Sequence, residues 1–207
     1  SSDLIDDFNT YHENILEWIK IANEYKIPTF VLGVGLGGLI ILNLLEKTEL
    51  PIEGILLFSP MLELKRDYKG CKNKLISNVG KISKDTRFKV GITPQDLTRN
   101  DEIIEETAND GLMLKKVTYS WYNLINEKMK ETMDHIRDIK PISALIMYGT
   151  NDKILETQSI NEMKDKLKSK EMYFKVWDGL YHEIHNEPER DLVMRYVLSF
   201  LNNSVNT

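Results

Sequence analysis

The segment Gly33-Val34-Gly35-Leu36-Gly37-Gly38 constrains this chain more than any other. It follows the short apolar stretch Thr29-Phe30-Val31-Leu32 and leads into Leu39 to Leu45, which is apolar nearly all round and interrupted by Asn43. A buried strand turning sharply through glycines into a helix packed hard against it is a unit of parallel α/β architecture. The rest of the chain extends the pattern. Ile52 to Phe58 reads as a second buried strand closed by Ser59-Pro60, Ser143 to Tyr148 as a third, and Met172 to Trp177 as a fourth. Helical spacing runs from Asp6 to Tyr25 through Ile15, Ile19 and Ala22, with Leu16 and Trp18 alongside, and Pro28 ends it. A helix from about Ser159 to Leu167 separates the last two strands. A final helix follows Pro188, with Leu192, Val193, Tyr196, Val197, Phe200 and Leu201 as its apolar face. Four strands alternating with helices imply a mainly parallel sheet with crossover helices.

Between Met61 and about Asp138 the texture changes. Lysines and acids crowd together, strand signals vanish, and helical stretches are expected around Asp101–Glu106 and Leu112–Met133. A segment of this kind between two strand regions reads as an inserted helical cap. The expected organisation is therefore a core of residues 1–60 and 139–207 with a cap or lid at 61–138. No internal repeat and no low-complexity stretch is visible.

Composition narrows the class. Hydrophobic residues are 42% and charged residues 29% of 207, a foldable globular mixture. The net charge of −5 argues against a broadly basic surface, so no nucleic-acid partner is expected. The lone cysteine, Cys71, leaves no intrachain disulfide or cysteine-rich zinc site, and with the acidic, polar start Ser1-Ser2-Asp3 it leads us to expect a cytoplasmic protein without a signal peptide. No apolar run approaches the ~20 residues of a membrane span. We expect no metal and no cofactor.

In open α/β sheets ligands sit beyond the carboxyl ends of strands. Three strand ends here carry conspicuous turns: Gly33–Gly38, Gly149–Asp152 and Asp178–His185. The first contains G-x-G-x-x-G at Gly33, Gly35 and Gly38, which admits a dinucleotide-binding oxidoreductase with pyrophosphate on the helix N-terminus. That reading wants an acid at the end of the next strand, where Phe58-Ser59-Pro60 stands. The same turn also fits a nucleophile elbow, G-x-S-x-G, with Gly33 and Gly37 as flanks and Gly35 at the nucleophile position. A third reading is a glycine turn needed only for packing. Asp152 taken alone is turn chemistry. His182 and His185 lie three apart in a loop, with Glu183 and Glu187 as the only nearby acids, and the pattern is not H-E-x-x-H. Order adds to this: elbow, then Asp, then His is the chain order of the α/β-hydrolase triad.

At these residues the chain resembles a known family. Gly33-Val34-Gly35-Leu36-Gly37-Gly38-Leu39 resembles the G-H-S-M-G-G-L elbow of bacterial monoacylglycerol lipases and lysophospholipases. Leu145 to Lys153 resembles their aspartate turn, and Gly179 to Arg190 is similar to their histidine turn. The resemblance implies an α/β-hydrolase fold and hydrolysis of carboxylic esters of lipid type, with a small acyl-ester ligand. It also implies that Asp152 orients His182, that His182 is the general base, and that the Leu36 backbone N–H is an oxyanion donor. A cap covering an acyl pocket is implied too, for which Trp121, Tyr122, Leu124 and Ile125 are the candidate lining residues, with Met113 and Met129 beside them. Ordinary cap packing is the other reading of that apolar stripe.

Two departures shape the expectation. The family's nucleophilic serine is Gly35 here and its preceding histidine is Val34; Ser59 ends the next strand and Cys71 lies in the cap, so neither replaces the serine. The family's first strands and the His-Gly turn that supplies its other oxyanion donor are not visible. The expected sheet is thus a partial one of about four strands with the N-terminal strands missing, and its first strand has an exposed apolar edge: either the chain is a fragment, its missing part lost or cut, or a second copy of the chain covers that edge. Two functional classes remain open: a family member impaired or inactive as an esterase, and a pseudoenzyme that binds an acyl ligand or a protein.

Overall fold

The computed structural model describes residues 7–65, 87–113 and 116–205. Helix α1 (Asn9–Asn23) leads to strand β1 (Phe30–Val34), helix α2 (Leu36–Leu45) and strand β2 (Gly54–Phe58). After a long excursion come β5 (Ser143–Gly149), α6 (Thr157–Lys166), β6 (Met172–Trp177) and α7 (Arg190–Val205). The excursion contains β3 (Arg87–Lys89), α3 (Pro94–Leu97), α4 (Asp101–Asn109), β4 (Lys116–Thr118) and α5 (Tyr119–His135).

The four expected strands form one parallel sheet in the order β1-β2-β5-β6. Side-chain alternation along the central strands sorts the core into two layers. Ile55, Leu57, Ala144 and Ile146 face α2, α5 and α6, where they meet Leu39, Leu42, Ile125 and Met163. Leu56, Phe58, Leu145 and Met147 face the other way, onto Val193, Val197 and Phe200 of α7. Both faces are covered, which explains why these strands read as unbroken apolar runs. Asn43, the polar interruption of α2, is fully buried and ties α2 to α5: its Nδ2 donates to Thr132 Oγ1 at 3.1 Å and to Glu131 Oε1 at 3.4 Å.

Several expectations need correction. Strand character does not vanish between 61 and 138: β3 and β4 pair antiparallel, Arg87 opposite Thr118. The helix expected from Leu112 starts at Tyr119, because the Thr118 hydroxyl accepts from Trp121 N at 3.2 Å and caps it there. That helix also contributes residues to the core layer. Tyr122 and Ile125 are buried in the core cluster, and Leu124 packs against it. Trp121 packs there too and donates its indole N–H to Tyr11 Oη at 3.1 Å. All four residues thus lie in or against the core cluster. On α7, Val193, Val197 and Phe200 are buried, whereas Leu192 is half exposed. Cys71 lies outside the described residues. No helix among the described residues is long and apolar enough to cross a membrane.

Candidate active site

Strand β1 ends in the glycine turn, and the turn takes its shape from contacts that allow no side chain at certain positions. A Cβ on Gly33 would stand 2.6 Å from the backbone of Gly37 and Gly38, and one on Gly38 would stand 2.8 Å from Pro60. These two glycines, and not Gly37, are the ones close packing demands. Gly35 has φ 51° and ψ −114°, a region L-residues rarely occupy and one that costs on the order of 1–3 kcal/mol. Its carbonyl begins α2, accepting from Gly38 N and Leu39 N, and its own N–H donates to Phe58 O at 3.0 Å. Leu36 is the first residue of α2, so its N–H is among the donors a helix N-terminus leaves without an intrahelical acceptor.

The second turn follows β5. Asp152 is fully buried, and its Oδ1 accepts from Ile154 N at 2.8 Å and Leu155 N at 2.9 Å. Its Oδ2 faces His182 Nδ1 at 2.8 Å. Burial alone would raise the Asp152 carboxyl. The hydrogen bond from His182, the imidazole's charge and the two backbone donors outweigh it and hold the carboxyl below its ordinary value. With Oδ1 committed to the backbone, Oδ2 is aimed at the ring, which fixes the proton on Nδ1 and leaves Nε2 as the basic nitrogen. Lys65 Nζ donates to the Asp152 carbonyl.

The third turn carries His182 over Gly35. A Cβ on Gly35 would stand 3.0 Å from His182 Nε2. The imidazole is therefore placed against the position from which a serine side chain would project, inside the contact range where a neighbour must yield by a few tenths of an ångström. Ser59 serves this arrangement from beside it: buried, at φ 43°, it donates its hydroxyl to His182 O at 2.8 Å. The turn is joined to the aspartate turn by Asn151 N donating to Leu180 O at 3.0 Å and Gly179 N to Thr150 Oγ1 at 2.8 Å.

The structure thus brings Gly35, Asp152 and His182 together, with Leu36 at the head of the adjoining helix. The dinucleotide reading of Gly33, Gly35 and Gly38 is overturned: an imidazole stands over the turn where a pyrophosphate would need bare backbone, and β2 ends in Phe58-Ser59 without an acid. Glu187, noted only as an acid near the histidines, is fully buried and bonded to Arg99 at 2.9 Å. Sequence reasoning gave no role to Arg99 or Lys65, because their contacts with the site span more than eighty residues. His185 is largely enclosed beside Phe58, its Nδ1 without a hydrogen-bond partner among the described residues, and burial lowers its basicity.

The arrangement sets His182, hydrogen-bonded to the Asp152 carboxylate, against position 35, where this chain has a glycine. In a serine hydrolase, Nε2 takes the hydroxyl proton as oxygen attacks the carbonyl, and helix N–H groups stabilise the oxyanion. Here a buried carboxylate, an imidazole, a positive-φ backbone and a helix N-terminus are brought together, and position 35 has no side chain.

The chain is similar to known proteins in sequence and in fold. The family described as serine aminopeptidase, S33 (Hydrolase_4) matches residues 2–189. Phospholipase YtpA of Bacillus subtilis is 28% identical over 197 residues, covering 95% of this chain and 76% of that protein. Among solved structures, a Paleococcus ferrophilus monoacylglycerol lipase superposes with a TM-score of 0.78 at 23% identity, over 93% of this chain and 75% of that one. A soluble variant of Saccharomyces cerevisiae monoglyceride lipase, solved with a substrate analog, gives 0.82 at 18% identity over 97% and 70%. The sheet, the three turns and the match along nearly the whole chain lead to one conclusion: the chain belongs to the serine aminopeptidase S33 family and has its α/β-hydrolase fold.

Proposed function

We propose that this chain binds carboxylic acyl esters of lipid type, in the monoacylglycerol and lysophospholipid class, at the site formed by Gly35, Leu36, Asp152 and His182, and that turnover there is impaired because position 35 has no hydroxyl. One observation carries the reading: His182, oriented by Asp152, is 3.0 Å from where a Cβ would stand on Gly35, so the frame of an ester-cleaving triad is kept around a missing atom. The cap is read as residues 61–138, its last helix, α5, built into the core. The single cysteine supports a reducing, cytoplasmic setting. No nucleic-acid partner is assigned.

Binding and turnover are separable by experiment. A non-hydrolysable monoacylglycerol ether is titrated against the chain by calorimetry while hydrolysis of the matching ester is followed by fatty-acid release. The reading expects saturable binding with little or no release. Release at enzymatic rates would overturn the impairment, and no binding by the folded chain would overturn the ligand class and leave a protein-binding role.

We also read the open side of β1 as the place where a second copy docks. Leu32, 48% exposed, lies there with Trp18, 72% exposed, in an apolar groove of about 350 Å³ that also takes in Ile15 and Phe30. A dimeric mass by light scattering that Leu32→Lys reduces to a monomer is expected. A monomeric mass across the micromolar range would end this reading.

A further inference from the structure

The histidine turn is stitched to a segment more than eighty residues earlier in the chain, between α3 and α4. Glu187 is the centre of the seam. Its Oε1 accepts from Tyr181 N at 2.7 Å, and its Oε2 accepts from Arg99 Nε at 2.9 Å and Arg99 N at 3.3 Å. Arg99 spans onward, its Nη2 donating to Glu189 at 2.6 Å. Two backbone-acceptor bonds flank this pair: Glu183 N donates to Leu97 O at 2.8 Å, and Thr98 Oγ1 to Asn186 O at 3.0 Å.

The placement matters because Tyr181 and Glu183 are the residues on either side of His182. One is fixed through its N–H by the Glu187 carboxylate, the other by the Leu97 carbonyl. On the third side, Ser59 Oγ fixes the His182 carbonyl. The base is therefore carried on backbone held at consecutive residues by groups from β2's end, from the α3–α4 connection and from Glu187.

A buried ion pair is weak evidence for stability, since a well-packed apolar replacement is often as stable. What it supplies is geometry: a carboxylate offers two acceptor oxygens and no donor, and here both oxygens meet donors that belong to separate segments. We propose that Glu187 and Arg99 are positioning residues that hold His182 in register with Asp152 and Gly35 and couple that register to the Leu97–Asn100 segment. This rests on reading the site as an ester-hydrolase frame.

Replacing Glu187 by Gln keeps its volume but turns an NH₂ toward either Arg99 or Tyr181 N, both donors. The seam then opens on one side. The test uses the 207-residue chain. The 15N shift of His182 Nδ1 is measured in the parent, in Glu187→Gln, in Arg99→Ala and in the charge-keeping Arg99→Lys, with folding checked by circular dichroism. His182→Ala assigns the signal. Expected are a shift of the Nδ1 resonance in Glu187→Gln and Arg99→Ala toward a mixture of tautomers, and a smaller one in Arg99→Lys. Arg99→Lys keeps a cation beside the buried Glu187, so it leaves a folded chain to measure if Glu187→Gln and Arg99→Ala do not fold, and an unmoved Nδ1 resonance there also overturns the proposal.

In a Gly35→Ser background the same changes are expected to lower kcat on the order of 10–100-fold with KM unchanged. If Gly35→Ser is silent, the ester-hydrolase reading fails while the Nδ1 measurement still decides the positioning role. An unmoved Nδ1 resonance in folded Glu187→Gln or Arg99→Ala overturns the proposal, whatever the activity.

Discussion

Introducing a hydroxyl by Gly35→Ser should raise activity and lower stability together, and the structure sets both magnitudes. Position 35 has φ 51°, so any L side chain there takes on a strain of about 1–3 kcal/mol. At roughly 2–4 °C per kcal/mol for a chain of this size, the melting temperature should fall by about 2–12 °C. The new Cβ would meet His182 Nε2 at 3.0 Å, so the imidazole must retreat by a few tenths of an ångström. That retreat is smaller than the 1 Å misplacement that costs about 100-fold. In a complete serine triad, losing the nucleophile costs on the order of 10⁶ in kcat. Allowing for an imperfect fit, hydrolysis of a short nitrophenyl ester should rise on the order of 10²–10⁴-fold over the parent. Gly35→Ala should show the stability loss with no gain, and Gly35→Ser with His182→Ala should lose the gain. The reasoning fails if folded Gly35→Ser is no more active than Gly35→Ala, or if its activity survives the removal of His182.

Two further outcomes follow from neighbouring groups. In the Gly35→Ser background, Asp152→Asn should remove most of the gain, up to about 10⁴-fold: the new amide oxygen would be claimed by Ile154 N and Leu155 N, leaving an NH₂ facing Nδ1 and forcing the wrong tautomer. Away from the site, burial pushes the Glu46 carboxyl up to about 7, and burial with Lys47 and Lys128 nearby pulls His12 down to about 4. Between about pH 4.5 and 7 folded Glu46 keeps a proton the unfolded chain has lost, so its contribution to stability falls as pH rises through that window. For His12 the unfolded chain binds the extra proton between about pH 4 and 6.5, so the sign is opposite and the two offset each other below pH 6.5. Glu46→Gln should therefore stabilise the chain at pH 8, by about 1 kcal/mol after discounting for partial solvent exposure, and give no gain at pH 5. Thermal melts at both values check this.

Much of this was legible in the sequence because it depends on short-range rules. The central strands β2 and β5 are buried on both faces and so read as apolar runs, and each of the three turns is written in contiguous residues. The order of Gly35, Asp152 and His182 along the chain then sufficed to bring them together. What was not legible depends on distant partners. Asn43 looked like an interruption of α2 because its acceptors, Glu131 and Thr132, lie on α5. Glu187 looked like a stray acid because Arg99 is 88 residues away. Strands β3 and β4 are three residues each, too short for alternation to register. Trp121, Tyr122, Leu124 and Ile125 have the same apolar spacing whether they line a pocket or pack in the core, so spacing alone does not separate the two.

The central claim is that an intact base and its orienting acid stand before a missing nucleophile. An alkyl fluorophosphonate, which forms a covalent bond only with an activated hydroxyl, tests it by intact-mass spectrometry on the parent chain and on Gly35→Ser. The account predicts no adduct on the parent and a single adduct at position 35 of the variant, lost when His182→Ala is added. An adduct on the parent, or none on the folded variant, would contradict it.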